Sequence, residues 1–142
     1  SPECAPVHAK AAGLYMICTM SKHEAEANGF NDALMVDWRG YVAECTGANI
    51  FFVKDGALHT PTPDCFLNGI TRQTVIELAE KAGVEVVERH IMPEEVSEMQ
   101  EVFIVGTAAE VTPINQIGDV HYQVGEVTRT LLTDYHNHVR GI

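Results

Sequence analysis

One amphipathic helix set between strand-like segments limits the fold of this chain more than any other feature. Over residues 71–82, four apolar side chains recur at helical spacing, and a glycine ends the pattern. Before it, residues 49–60 form two apolar segments around an Asp55-Gly56 pair, which is typical of a hairpin turn. After it, residues 84–91 alternate as a strand does. This order predicts a mixed α/β fold.

The rest of the chain continues the alternation of helices and strands. The patterns predict a first helix over residues 10–27, a hairpin with its turn at residues 37–40, a short acidic helix from Pro93, a buried strand over residues 102–105 and a last helix over residues 124–139. No repeat or low-complexity linker divides the 142 residues, so we expect a single domain.

The net charge and the hydropathy of the chain limit the kinds of partner that it can bind. Nine Lys and Arg against twenty Asp and Glu give a net charge of −11, which repels nucleic-acid phosphates and anionic lipid surfaces. No apolar run reaches the roughly 18 residues that a bilayer crossing needs, and the N-terminus lacks the pattern of a signal peptide. We therefore expect a cytoplasmic protein that binds neither nucleic acid nor membrane.

The four cysteines and seven histidines do not have the spacing of metal ligands. The cysteines lack the close pairing of zinc ribbons and redox dithiols, and His136 and His138 lack the i, i+4 spacing of a zinc helix. We expect reduced thiols and no metal site.

Two glycine-containing turns are candidates for anion binding. In residues 67–72, Leu-Asn-Gly-Ile-Thr-Arg, a glycine loop leads into the predicted helix, whose first N–H groups lack partners and attract phosphate. The alternative is that Thr71 is an ordinary N-cap. In residues 105–110, Val-Gly-Thr-Ala-Ala-Glu, a buried strand ends in a Gly-Thr turn whose hydroxyl and amides could hold an anion. The alternative there is an ordinary turn.

Two charged residues have unusual neighbours. Glu44 ends an apolar strand, and a buried carboxylate there needs a cationic or protonated partner. The alternative is a glutamate in solvent at a strand edge. Lys10 lies among alanines and a glycine, which leave room for a bulky adduct such as a Schiff base on its amine. The alternative is a surface lysine whose stem lies along apolar atoms.

Together these segments resemble the class IV pyridoxal-phosphate aminotransferases. The signature of that family is matched at the expected spacings by Glu44, Thr46, Asn49, Ile50, Phe51, Leu58, Thr60, Leu67, Gly69, Ile70 and Arg72. Residues 10–15, Lys-Ala-Ala-Gly-Leu-Tyr, are similar to the lysine segment of branched-chain aminotransferases, and residues 106–113 to their second anion-binding loop. The resemblance covers almost the whole chain, and four cofactor signals agree on one ligand.

The resemblance implies a role for each candidate residue around pyridoxal 5'-phosphate. Lys10 would form the Schiff base with the cofactor and then move the substrate α-proton, Glu44 would keep the pyridine nitrogen protonated, and Tyr15 would hydrogen-bond the phenolic oxygen. The expected cofactor-binding residues are Lys10, Tyr15, Glu44, Leu67, Gly69, Ile70, Thr71 and Thr107, of which Lys10, Glu44 and Tyr15 are also expected to be catalytic. Thr107 and Ala108 would receive the substrate carboxylate.

The resemblance also implies the architecture. It predicts a mixed sheet partly closed into a pseudo-barrel with flanking helices, the large domain of the D-amino-acid aminotransferase-like fold. Family members begin with a smaller α/β domain, to which nothing in this chain corresponds. We therefore expect residues 1–142 to be the C-terminal cofactor-binding domain of a longer enzyme that forms a homodimer or higher homo-oligomer. The isolated 142 residues should be inactive, because half a cleft cannot exclude water.

The expected activity of that longer enzyme is transamination of leucine, isoleucine or valine with 2-oxoglutarate, as in branched-chain amino-acid biosynthesis. Two departures from the branched-chain pattern bear on the substrate, because Ala48 stands where glutamate is common and Asn68 where proline is. The alternatives are a D-amino-acid aminotransferase, an (R)-amine transaminase, 4-amino-4-deoxychorismate lyase, or a domain without catalytic activity of its own.

Overall fold

The computed structural model describes residues 1–142 and has the mixed α/β class that the sequence predicts. Its helices are α1 (Met16–Ala27), α2 (Ile70–Lys81) and α3 (Glu126–Arg140), with short 3-10 helices at Ala12–Tyr15 and Pro93–Glu98. Its strands are β1 (Leu34–Val36), β2 (Val42–Cys45), β3 (Asn49–Lys54), β4 (Ala57–Pro61), β5 (Val86–Arg89), β6 (Glu101–Gly106), β7 (Glu110–Pro113), β8 (Gln116–Ile117) and β9 (Val120–His121).

A five-stranded sheet in the order β5-β4-β3-β6-β7 is the centre of the fold. β3 is antiparallel to both neighbours, and β6 is antiparallel to β7. β5 is parallel to β4, and α2 provides the crossover that a parallel pair needs. The same end of this sheet therefore contains the start of β3, the ends of β4 and β6, and the start of α2.

Side chains on the two faces of the sheet form two apolar cores. β3 is buried on both faces, so its residues from Asn49 to Val53 form a near-continuous apolar run. On one face, Phe51 stacks on Phe103 at 5.2 Å between ring centroids and packs with α2 and α3. On the other face, Ile50 and Phe52 pack under the β1–β2 hairpin and the 93–98 helix. The sheet is thereby held between two layers.

The first helix lies on this framework without burying any residue. Met16, Ile17 and Met20 of α1 are each more than 60% exposed. The helix is shorter than the predicted span of residues 10–27, because Ala11 is extended and Ala12–Tyr15 is a 3-10 turn. None of the helices has the length and hydropathy needed to cross a membrane.

The remaining strands form two small sheets, β1-β2 and β8-β9, beside the central one. Strand pairing keeps the three sheets separate, so closure into a pseudo-barrel stays a prediction. Outside the regular ladders, two backbone hydrogen bonds connect β2 to residues that adjoin the central sheet, from Val42 N to Ile91 O and from Cys45 N to Ala48 O, both at 2.8 Å. These bonds place the end of β2 beside the start of β3.

Most predicted elements are confirmed within a few residues. The hairpin turns at residues 37–40 and at Asp55-Gly56 and the strand Asn49–Lys54 are as expected. The helix expected over residues 71–82 begins at Ile70, because Gly69 is the extended N-cap. The pattern missed β7, β8 and β9, which are too short for a clear alternation.

Candidate active site

A cleft of about 680 Å³ opens where the ends of β2, β4 and β6 meet the start of α2. It is lined by all nine residues that the sequence singles out, which are Lys10, Tyr15, Glu44, Leu67, Gly69, Ile70, Thr71, Thr107 and Ala108. These residues come from four distant segments of the chain. The structure brings them to one concave surface, and their roles there stay predictions.

Glu44 is the half-buried carboxyl of the cleft. It lies on β2, and burial raises its pKa to about 7. Its Oε2 accepts a hydrogen bond from Asn49 Nδ2 at 3.1 Å, and none of the ion pairs of the chain includes it. The sequence predicted a positive partner, whereas the structure provides a neutral amide. A carboxyl held in this way is suited to a protonated group on a ligand.

We expect Glu44→Gln to stabilise the ligand-free protein at pH 8 by about 2 kcal/mol and to change it little at pH 5. The folded-state pKa of Glu44 is raised from 4.5 to about 7, so folding loses stability as the pH rises through that interval. A neutral glutamine avoids burying the charge. Thermal unfolding at both pH values measures the effect, with exposed Glu80→Gln on α2 as the control. Equal pH dependence in parent and variant would contradict the assigned burial.

The first turn of α2 points unpaired backbone N–H groups at the cleft. Gly69 is the N-cap, in an extended conformation and without a side-chain capping bond, so Ile70 and Thr71 are the first helical residues. The alternative in which Thr71 is the N-cap is therefore wrong. The N–H groups of a first helical turn have no intrahelical acceptor and carry partial positive charge. This end of the cleft is suited to an anion.

Arg72 fastens the loop that leads to this helix. Its side chain is 1% exposed and donates to Asn68 Oδ1 at 2.9 Å and to the Pro61 carbonyl at 3.0 Å. Its charge is paired with Glu88 Oε2 at 2.6 Å. The loop between β4 and α2 is thus tied at both ends. The sequence includes Arg72 in the family signature but indicates no partner, because these contacts come from segments distant in the chain.

The second predicted anion turn closes the β6–β7 hairpin. Thr107 and Ala108 are exposed at its tip, and Gly106 lies close to the Gly47–Ala48 turn. Glu110 adopts a left-handed backbone conformation, with φ of 50°, and its carboxylate lies 3.0 Å from His136 Nε2 on α3. Gly106, Thr107 and Ala108 of this turn line the cleft together with the start of α2.

Lys10 and Tyr15 reach the cleft from the N-terminal segment. Lys10 is exposed and directly precedes the extended Ala11, and Tyr15 ends the 3-10 turn with 37% of its surface exposed. Lys10 is the only lysine, arginine or histidine among the residues that line the cleft. No other cationic side chain lines the cleft.

A group of metal-ligand side chains lies beside the cleft. Ligand atoms of Asp37, Asp64 and Cys65 lie within 4.8 Å of one another. The guanidinium of Arg39 fills the space between them, with Nη2 at 2.6 Å from Asp37, 2.8 Å from Asp64 and 3.4 Å from Cys65 Sγ. The arginine holds the pKa of Asp64 at about 2. These contacts tie the β1–β2 turn to the loop before α2, and all four cysteines of the chain are free thiols.

The chain matches the family model described as amino-transferase class IV over residues 1–117. A probable branched-chain-amino-acid aminotransferase of Rickettsia felis is 50% identical to it over 116 residues, which are 82% of this chain and 40% of the relative.

Two solved structures have the same architecture. A branched-chain aminotransferase from Thermoproteus uzoniensis with norvaline superposes with a TM-score of 0.96 and 42% identity, covering 99% of this chain and 48% of that one. An aminotransferase from Brucella abortus bound to the co-factor PLP superposes with a TM-score of 0.93 and 40% identity, covering 97% and 50%. The chain thus spans about half the length of the proteins it matches.

Proposed function

This chain belongs to the class IV aminotransferase family, and we propose that it is the cofactor-binding part of a branched-chain-amino-acid aminotransferase. The reaction is exchange of the amino group of leucine, isoleucine or valine with 2-oxoglutarate. The observation that carries the proposal is the single cleft that joins the Lys10 amine, the half-buried Glu44 carboxyl and the open N-terminus of α2. Relatives and structural neighbours described as branched-chain aminotransferases support the substrate class.

The cleft fits pyridoxal 5'-phosphate at three points. The helix N-terminus offers free amides to a phosphate, Glu44 is a half-buried carboxyl that no cationic side chain of the chain pairs with, and Lys10 supplies a primary amine. When bound, this cofactor withdraws electrons from the substrate α-carbon through its protonated ring. The structure of the PLP-bound Brucella abortus relative supports this assignment.

Three side chains of the cleft would hold or move protons during the reaction. The Lys10 amine would hold the cofactor through its aldehyde carbon and, once free, would take the proton from the substrate α-carbon and deliver it to that cofactor carbon. The Glu44 carboxylate holds a proton on the pyridine nitrogen by charge attraction. The Tyr15 hydroxyl hydrogen-bonds the phenolic oxygen.

The remaining residues orient the ligands. The amides of Ile70 and Thr71 and the hydroxyls of Thr71 and Thr107 bind the phosphate, and Leu67 packs against the ring. Thr107 and Ala108 receive the substrate carboxylate. All of them line the same cleft, which supports this arrangement.

The whole enzyme extends beyond these residues in the proposal. We infer that residues 1–142 act with a smaller domain that completes the cleft, in a cytoplasmic homodimer or higher homo-oligomer. The match to about half of each relative and the absence of any buried residue in α1 support this organisation. We also infer the partly closed barrel of the family, which the backbone bonds between β2 and its neighbours support.

Assay of the full-length protein with three amino donors tests the proposed reaction. We expect turnover of L-leucine with 2-oxoglutarate and little or none of D-alanine or aminodeoxychorismate. Turnover of D-alanine alone would indicate a D-amino-acid aminotransferase, and release of pyruvate from aminodeoxychorismate would indicate the lyase. Absence of L-leucine turnover in a protein that holds the cofactor would contradict the branched-chain proposal.

The phosphate assignment predicts modest effects for the two threonine hydroxyls. Thr71→Ala and Thr107→Ala should each weaken cofactor binding about ten- to a hundredfold, since a hydrogen bond to a charged group is worth about 1.5 to 3 kcal/mol. Thr74→Ala is the control, because its hydroxyl donates to the Ile70 carbonyl at 3.1 Å within α2 and does not line the cleft. Titration of the cofactor into each variant gives the dissociation constants. Parent-like values at both positions would place the phosphate elsewhere.

A further inference from the structure

We propose that Asn49 is a positioning residue that holds the Glu44 carboxyl and the loop before α2 in one arrangement, an inference that rests on the proposed function. Its side-chain nitrogen donates to Glu44 Oε2 at 3.1 Å and to the Leu67 carbonyl oxygen at 3.0 Å. Both partners are acceptors, so the two hydrogens of the amide are fully used and its orientation is fixed. One side chain thus connects the two ends of the cleft.

The backbone of Asn49 is itself rigidly placed. It is the first residue of β3, is 6% exposed, and is paired with Val105 of β6 in the central sheet. A side chain that starts from a central strand has little freedom, and both amide bonds restrict it further. Asn49 can therefore transmit the position of the sheet to Glu44 and to Leu67.

The other side of the Asn49 amide meets the start of α2. A Cβ added to Gly69 would lie 2.6 Å from Asn49 Oδ1, so glycine at the N-cap lets the amide lie against the helix start. The Asn49 side chain therefore contacts both the helix N-terminus and the Glu44 carboxyl. These two groups would bind opposite ends of the cofactor. This is the geometry expected of a residue that sets the spacing between two binding groups.

The amide also acts on the charge of Glu44. Burial disfavours the ionised carboxyl, whereas a donated hydrogen bond favours it. The nearby titratable groups are Asp32 and the thiols of Cys18 and Cys45. Burial, and then the charges of Asp32 and Glu44, raise the pKa of both thiols. The only basic residue lining the cleft is Lys10. Asn49 is thus the one side chain that stabilises the Glu44 anion through a direct hydrogen bond.

Two variants test the proposal. Asn49→Leu keeps the size of the side chain and removes the donor, and Asn49→Asp keeps the shape while placing a second carboxyl beside Glu44. The control is Gln73→Met on α2, which removes another amide that holds the same loop, because the exposed Gln73 Nε2 donates to the Asn68 carbonyl at 3.1 Å. The comparison separates an action on Glu44 from general loosening of the loop.

The readout is the titration of the Glu44 carboxyl in the cofactor-free, full-length protein, followed by NMR of carbon-13-labelled glutamate and assigned with Glu44→Gln. We expect the midpoint in Asn49→Leu to rise by about one pH unit, since the anion loses its donor. Asn49→Asp should also raise the Glu44 midpoint, because it places a like charge beside the carboxyl. This variant tests the proposal if the leucine variant fails to fold. Gln73→Met should titrate as the parent does.

A second readout connects the residue to the ligand. In Asn49→Leu, pyridoxal phosphate should bind at least about tenfold more weakly than in the parent, and in Gln73→Met as tightly as in the parent. A Glu44 midpoint unchanged by both Asn49 substitutions would overturn the proposal, as would an equal shift in the control. A parent protein that binds no cofactor would contradict the proposed function alone, because the titration is measured without cofactor.

Discussion

Replacing Lys10 with alanine should reduce L-leucine transamination by the full-length enzyme at least about a thousandfold, since one amine both binds the cofactor and moves the proton. The fold should be unaffected. Lys10 is exposed, lies outside the two apolar cores and takes part in none of the ion pairs. Turnover, cofactor absorbance and thermal unfolding of the variant measure the three expectations.

Lys22→Ala is the matched control for this change. Lys22 lies on exposed α1, two turns beyond Tyr15, and does not line the cleft. It should keep the activity and the cofactor absorbance of the parent. A Lys10→Ala protein that retains the absorbance of the lysine-linked cofactor would remove Lys10 from the mechanism.

Replacing Gly69 with valine should weaken cofactor binding more than a hundredfold, which is more than either threonine variant. The backbone of Gly69 has φ of −63°, a conformation open to any residue, so the requirement for glycine is space. The added Cβ would lie 2.6 Å from Asn49 Oδ1, and valine adds two methyl groups beyond it. Either the amide leaves Glu44 and Leu67 or the helix start moves, and both changes disturb the cleft.

A smaller substitution separates this clash from a general effect of removing glycine. Gly69→Ala adds only the clashing Cβ and should already weaken binding, whereas Gly118→Ala, in the exposed β8–β9 turn outside the cleft, adds a Cβ in open space and should not. Cofactor dissociation constants for the three variants measure this. Parent-like binding by Gly69→Val would show that the start of α2 does not hold the phosphate.

Local patterns predicted the parts of this site, and the topology assembled them. The helix after Gly69 and the turn after Val105 follow from periodicity and turn chemistry, which are properties of neighbouring residues. Their meeting in one cleft depends on the antiparallel pairing of β3 with β6 and on the crossover through α2. From the sequence, only the family resemblance indicated that these segments form one site.

The partners of buried polar groups could not be predicted from the sequence. The sequence indicates that Glu44 needs a partner, but the Asn49 amide, five residues further on, reaches it only because the turn at residues 46–48 returns the chain beside the end of β2. Arg72 is bound by Pro61 and Glu88, which are 11 and 16 residues away. Such contacts are set by tertiary packing, to which hydrophobic periodicity is insensitive.

The central claim is that Lys10 is the residue that binds pyridoxal phosphate, and covalent trapping tests it most directly. Borohydride reduction of the full-length protein with the cofactor fixes the carbon–nitrogen bond, and mass spectrometry of its peptides locates the adduct. The chain has four lysines, Lys10, Lys22, Lys54 and Lys81. The proposed site predicts one adduct per chain, on Lys10, that is lost when L-leucine is added before reduction. An adduct on another lysine, or none, would contradict it.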